Sequence, residues 1–193
     1  MIPAVDPRTG HLPCGRYQTD FDEVHARYVT APAFASASTR LDVWHGLVAY
    51  LAEWDATQVM LGSNLPGPLL TRVWLGGSFV STKLDPGNAD LTLVLSGEAR
   101  RAATGQVGAG RIAKLTVRSN MLSRFRVSPL VLQHEAVPHV FRPEALNPIE
   151  REYLTMRGSW DDWWQRARPA DEAQGAPTLH TVESVRGYLE VTL

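Results

Sequence analysis

The sequence predicts an α/β protein of the α+β type, and three observations predict it. Segments with strand and helix character follow in the order helix, helix, strand, strand, helix, strand, helices, strand, without the repeated β-α-β unit of a doubly wound sheet. The chain has 193 residues, of which 44% are hydrophobic, enough for one domain with its own core. No internal repeat and no low-complexity segment interrupts that pattern.

Residues 1–18 carry three prolines and two glycines among polar residues and read as an extended N-terminal arm. Thr19 or Asp20 caps a short helix through Phe21, Val24 and Tyr28, with Asp22 and Glu23 in its first turn, and Pro32 ends it. Ser36 or Ser38 opens a longer helix. In it Leu41, Trp44, Leu47, Val48, Leu51 and Trp54 recur at spacings of three and four, a stripe that suits core packing better than a partner surface. Residues 61–70 form a loop. Arg72 to Leu75 is a short strand running into Gly76-Gly77, and residues 79–84 start a helical turn. Asp85-Pro86-Gly87 is a tight turn, and Asp90 to Leu95 is the second strand.

Residues 98–110 are small and polar and read as a loop after a weak helical turn. Arg111 to Arg124 reads as one helix with Ile112, Leu115 and Leu122 inward. Its other face, with Arg111, Lys114, Arg118 and Arg124, is either solvated or a basic patch for phosphate. Phe125 to Leu132 is a third strand that Pro129 confines to an edge or a bulge. Asn147 caps a helix with Pro148 at its first position, and Gly158 ends it. Ser159-Trp160-Asp161-Asp162 opens another, with Trp160, Trp163 and Trp164 on one stripe and the two acids favouring its dipole. Residues 169–184 are a polar loop, and Tyr188 to Leu193 closes the fold as a strand. The expected organisation is an arm (1–18), a domain (19–168), and a loop and closing strand of that domain (169–193).

Bulk composition excludes several classes. A net charge of −1 gives no surplus for generic nucleic-acid binding. Cys14 is the one cysteine, too few for an internal disulfide, and it reads as a non-catalytic thiol in a reducing compartment. The first residues lack the basic and apolar regions of a signal peptide, and no run is long enough for a membrane span. The expectation is a cytoplasmic protein without membrane contact. The six histidines are scattered, and His134 and His139, separated across Pro138, do not make a helical metal pair.

The chemistry-bearing stretch is Leu75-Gly76-Gly77-Ser78, a gap of nine residues, then Asn88-Ala89-Asp90-Leu91. The Gly-Gly-Ser turn offers backbone N–H groups and a hydroxyl to phosphate oxygens, although Ser78 would serve equally as a helix N-cap. Positions 88 and 90 point to one side of a strand, where side-chain oxygens could share a divalent metal. Lys83 reaches a triphosphate or is simply solvated.

These residues resemble the signature of the nucleotidyltransferase superfamily related to DNA polymerase beta. The text Gly76-Gly77-Ser78-Phe79-Val80 with Lys83-Leu84-Asp85-Pro86-Gly87 looks like a small bacterial group in that superfamily. Members of that group tend to carry a Trp-Asp-Asp-aromatic-Trp helix and a Gly-Tyr-Leu-Glu-Val tail, found here at Trp160 to Trp164 and Gly187 to Val191. The resemblance implies a small mixed sheet with helices mainly on one face. It implies an NTP with Mg²⁺ or Mn²⁺ and transfer of a nucleoside monophosphate to a hydroxyl of a protein, an RNA or a small molecule, by two-metal chemistry. Carried over by position, Gly76, Gly77, Ser78 and Lys83 would hold the nucleotide, and Asp90 and Asn88 would be the catalytic and metal-binding pair.

The chain departs from the family pattern where that chemistry is most demanding. Asn88 stands where the first carboxylate belongs, and the strand holding Arg126-Val127-Ser128-Pro129-Leu130 has no acid where the third belongs. Asp85 and Glu135 are the nearest substitutes in sequence. Two functions follow: an active nucleotidyltransferase, or a degenerate fold kept as a nucleotide-binding or protein-interaction module, for instance in a toxin–antitoxin or defence pair. A homodimer formed through the tail strand, or a cognate protein partner, fits either.

Overall fold

A computed structural model describes residues 1–167 and 183–193, and within them it has the expected α+β class. The described residues form one five-stranded mixed sheet: β1 (Gly15–Thr19), β2 (Leu70–Gly76), β3 (Ala89–Ser96), β4 (Val127–His134) and β5 (Gly187–Thr192), in the spatial order β1-β5-β2-β3-β4. β1 runs parallel to β5, β2 is antiparallel to both β5 and β3, and β4 runs parallel to β3. Among the described residues six α-helices accompany it: α1 (Phe21–Tyr28), α2 (Arg40–Leu61), α3 (Gly97–Ala103), α4 (Gly110–Leu115), α5 (Arg118–Phe125) and α6 (Pro148–Gln165).

Alternation along the strands divides the core in two. Val73 and Leu75 of β2, Leu91, Leu93 and Leu95 of β3, and Leu189 and Val191 of β5 pack in the larger layer. Val24 and Tyr28 of α1, Leu47 and Trp54 of α2, Ala99 of α3, Ile112 of α4 and Phe125 of α5 join them there. The intervening residues Trp74, Val94, Leu132 and Tyr188 face the other way, where α6 covers them with Tyr153 and Trp164. Helices therefore lie mainly on one face.

Several local expectations change. Part of the N-terminal arm is strand β1, and Ile2 and Leu12 are buried in the core. Asp20 caps α1 by accepting from the Glu23 N–H. In α2, Leu41 and Val48 are exposed, and Val43 and Tyr50 take their place in the core. The polar segment after β3 begins with helix α3, capped by Ser96. The single helix expected over 111–124 is two, broken at Thr116-Val117; Leu122 is exposed, and Met121 and Phe125 are buried instead. Asn147 and Glu150 form a reciprocal capping box at the start of α6. That helix runs through Gly158 without a stop, so Asp161 and Asp162 sit near its end, not in a first turn. Asp162 pairs with Arg166, and Asp161 accepts from the Tyr188 hydroxyl. Most of the loop expected over 169–184, with His180, lies outside the described residues.

β5 is an interior strand. It has β1 on one side and β2 on the other, so neither edge is open for pairing with a second copy. β4 is an edge strand, the first of the two alternatives Pro129 allowed, with Pro129 in register with Leu91. No helix among the described residues is long and apolar enough to cross a membrane.

Candidate functional site

Three segments meet at one end of the sheet. β2 ends at Gly76, which pairs with Asp90 at the start of β3. The chain then turns through a short 3-10 segment, Gly77–Val80. Both glycines are required by packing. A side chain on Gly76 would enter the ring of Trp164, whose indole N–H donates to the Thr92 hydroxyl at 2.9 Å. Gly77 adopts a left-handed φ of +70°, and a Cβ there would lie 2.5 Å from the Asp90 carboxylate. The half-buried Asp90 therefore lies directly against the Gly-Gly-Ser turn.

Asn88 lies one residue before β3, outside the strand, and its amide donates to Asp90 Oδ1 at 2.8 Å. Across the parallel ladder the residue in register with Asp90 is Ser128. Ser128 is buried, and its hydroxyl accepts from Arg118 Nε at 2.7 Å. The position beside Asp90 thus presents a hydroxyl bound to a guanidinium, not a carboxylate.

The neighbouring acids do not substitute. Asp85 accepts from the Ser38 N–H (2.6 Å), the Ser38 hydroxyl (2.9 Å) and the Thr39 N–H (3.2 Å), closing the entry to α2. These bonds, the Ser38 N–H foremost, hold its carboxyl below the usual range. Glu135 lies just past β4, where a bidentate bond with Arg101 at 2.6 and 2.8 Å keeps its pKa low. Ser96 pairs with His134, so Glu135 lies at the opposite end of β3 from Asp90.

Ser78 is half-buried, and its carbonyl accepts from the Ser81 hydroxyl at 2.8 Å. Lys83 is exposed, while its carbonyl is bound by Arg40. Arg40 is not among the residues that the sequence pattern singles out. It is almost fully buried, and its guanidinium donates to the carbonyls of Tyr28, Phe79, Ser81, Lys83 and Leu84. It also stacks 3.6 Å from the Phe34 ring centroid. Burial pushes its pKa down to about 10, so it is fully charged at neutral pH. The loop that follows the Gly-Gly-Ser turn is therefore pinned to the start of α2. The signal available in the sequence was a lone arginine three and four residues before two core positions, Val43 and Trp44. Arg118, by contrast, was visible only as one of a basic row. Arg111 and Arg124 of that row both pair with Glu53, which leaves Arg118 in a different role.

The donor set does not fit a pair of divalent cations. Two Mg²⁺ ions call for several hard anionic oxygens. Here one carboxylate is present, one of its oxygens is engaged by Asn88, and a guanidinium is bound at the adjacent strand position. Among the described residues no group of three or more His, Cys, Asp or Glu side chains converges as a metal site.

Over residues 3–191 the chain matches the family of unknown function DUF6932, and it belongs to that family. No curated protein and no solved structure matches it.

Proposed function

We propose that this chain is a catalytically degenerate nucleotidyltransferase fold that holds the phosphates of a nucleotide at the Gly76–Ser78 turn and acts as a nucleotide-binding or protein-interaction module. Support for the fold comes from helix α2 before β2, the Gly-Gly-Ser turn and then β3 with Asp90 near its start, the element order that the sequence resemblance implies. The observation that carries the loss of catalysis is the register of Asp90 with Ser128, which is bound to Arg118. Three carboxylates would repel a polyphosphate unless divalent ions intervened. One carboxylate beside an arginine is close to neutral and removes that repulsion, and the guanidinium suits phosphate oxygens.

The test is calorimetric titration with each NTP, in Mg²⁺, in Mn²⁺ and in EDTA, alongside incubation with labelled NTPs and cell lysate. Saturable binding that persists in EDTA, falls at least tenfold in Arg118→Gln, and yields no transferred label is the expected result. Label that reaches an acceptor and disappears in Asp90→Ala would overturn the degenerate reading in favour of an active nucleotidyltransferase. Absence of binding to every NTP would remove the nucleotide from both.

A further inference from the structure

The end of the α6-covered face remote from Asp90 carries a second cluster of cations. Arg16 of β1, Arg72 of β2 and Arg157 of α6, with His134, Tyr153 and Glu190, line one cavity of about 90 Å³. That is the volume of roughly three waters at their liquid share, the scale of a single oxyanion. Among the described residues Glu190 is the one carboxylate in the lining. It stands on the interior strand β5 with its side chain 4% exposed, and it is already committed: Oε2 accepts from the Trp74 indole N–H at 2.7 Å and Oε1 from the Gln18 amide at 3.4 Å.

Glu190 does not use up the arginines. Arg16 and Arg72 approach it at 3.8 and 3.9 Å, longer than a hydrogen bond, so they neutralise it by charge, and among the described residues their guanidinium N–H groups have no hydrogen-bond acceptor. Arg16 is instead oriented by stacking on Trp74, 5.5 Å from the ring centroid. Among the described residues no hydrogen bond or ion pair engages the Arg157 side chain. Among the described residues of the lining, three guanidinium groups against one carboxylate leave a surplus of two positive charges in a partly enclosed space. His134 is fixed at the rim by edge contact with Tyr153, with centroids 5.1 Å apart.

We infer that this cavity is a binding site for a phosphate dianion, free or as a phosphomonoester, held by Arg16, Arg72 and Arg157. The charge of the ligand matches the surplus, and planar guanidinium forks suit phosphate oxygens. The site is separate from the Gly76–Ser78 turn and does not depend on the nucleotide reading.

Inorganic phosphate and glycerol phosphate are titrated calorimetrically at fixed ionic strength, with chloride as the background anion. Saturable binding of either probe is expected; the tighter one distinguishes a free ion from a phosphomonoester as the natural source. Arg157→Gln should weaken binding at least tenfold while leaving the unfolding midpoint in phosphate-free buffer unchanged, and Arg72→Gln should weaken it similarly. The inference fails if neither probe binds saturably, or if both variants bind as the parent does. It fails equally if binding is lost in Arg118→Gln or Lys83→Gln and kept in Arg157→Gln, since phosphate would then sit at the Gly76–Ser78 turn.

Discussion

Replacing Arg40 by methionine keeps the length and much of the apolar stem of the side chain and removes its donors. The guanidinium serves five backbone carbonyls, and its bonds to Tyr28, Phe79 and Ser81 are buried. Each buried acceptor left without a donor costs about 1–3 kcal/mol. Three of them set a loss of about 3 kcal/mol at the low end of that range. Removing a desolvated cation returns part of the loss, and breaking a buried charged network by deleting one partner costs about 3–5 kcal/mol overall. With a urea slope of about 2 kcal/mol per molar, the midpoint should fall by roughly 2 M. Arg40→Lys keeps the charge but offers three donors in place of five, so it should land between the two. The same loss frees the 79–84 loop, so nucleotide binding at the adjacent turn should weaken in any Arg40→Met protein that still folds. A urea midpoint within about 0.3 M of the parent would refute the reasoning, because water would then be satisfying the carbonyls as well as arginine does.

Gly77→Ala forces a side chain into the left-handed region against Asp90 and should lower stability by about 1–3 kcal/mol in chemical denaturation. Introduced into Asp90→Ala it should cost measurably less, and equal costs in the two backgrounds would show that the steric conflict is absent. Thr92→Val leaves the buried Trp164 indole N–H without its acceptor and should cost about 1–3 kcal/mol, followed by tryptophan fluorescence; a change below about 0.5 kcal/mol would contradict the bond. Burial, with Arg72 and Arg157 nearby, holds the His134 pKa below its ordinary value. The folded state therefore resists the proton: this contribution is complete above about pH 6.5 and is lost as pH falls through the lower folded value. His134→Gln should flatten stability against pH across that window, and an unchanged profile would contradict the shift. Glu135 is held low by its bond to Arg101. Its contribution is present above the ordinary glutamate pKa and is lost on further acidification, so Glu135→Gln should remove part of the acid limb of the same titration.

The elements that were legible in the sequence are those whose signal is local. Asp20 before Phe21, and Asn147-Pro148 with Glu150, announce helix starts through cap chemistry that depends on no distant residue. Pro129 announces an edge strand because a missing N–H is a property of the residue itself. The local signal fails where distant contacts decide. Gly158 does not end α6, because the helix is held down by Tyr153 and Trp164 on either side of it, and one glycine costs only about 1 kcal/mol. β1 was hidden among prolines and polar residues, since its pairing partner β5 lies about 170 positions away. At the site, the nearness of the Gly-Gly-Ser turn to Asp90 followed from the motif. The Arg118–Ser128 bond did not, because it depends on the parallel register of β4 against β3.

The glycines of the Gly-Gly-Ser turn carry less functional information than the motif suggests. Gly76 is explained by the ring of Trp164, and Gly77 by its backbone conformation and the carboxylate beside it. A fold with no ligand would need both. Charge discriminates where the glycines do not. An isolated carboxylate against a turn of backbone N–H groups repels phosphate and would favour a purely structural role. In the proposed function Arg118, fixed by a buried hydroxyl next to that carboxylate, offsets its charge. Its loss should therefore abolish phosphate affinity at the turn while leaving the glycine packing, and hence the fold, intact. A purely structural turn would have no such affinity to lose.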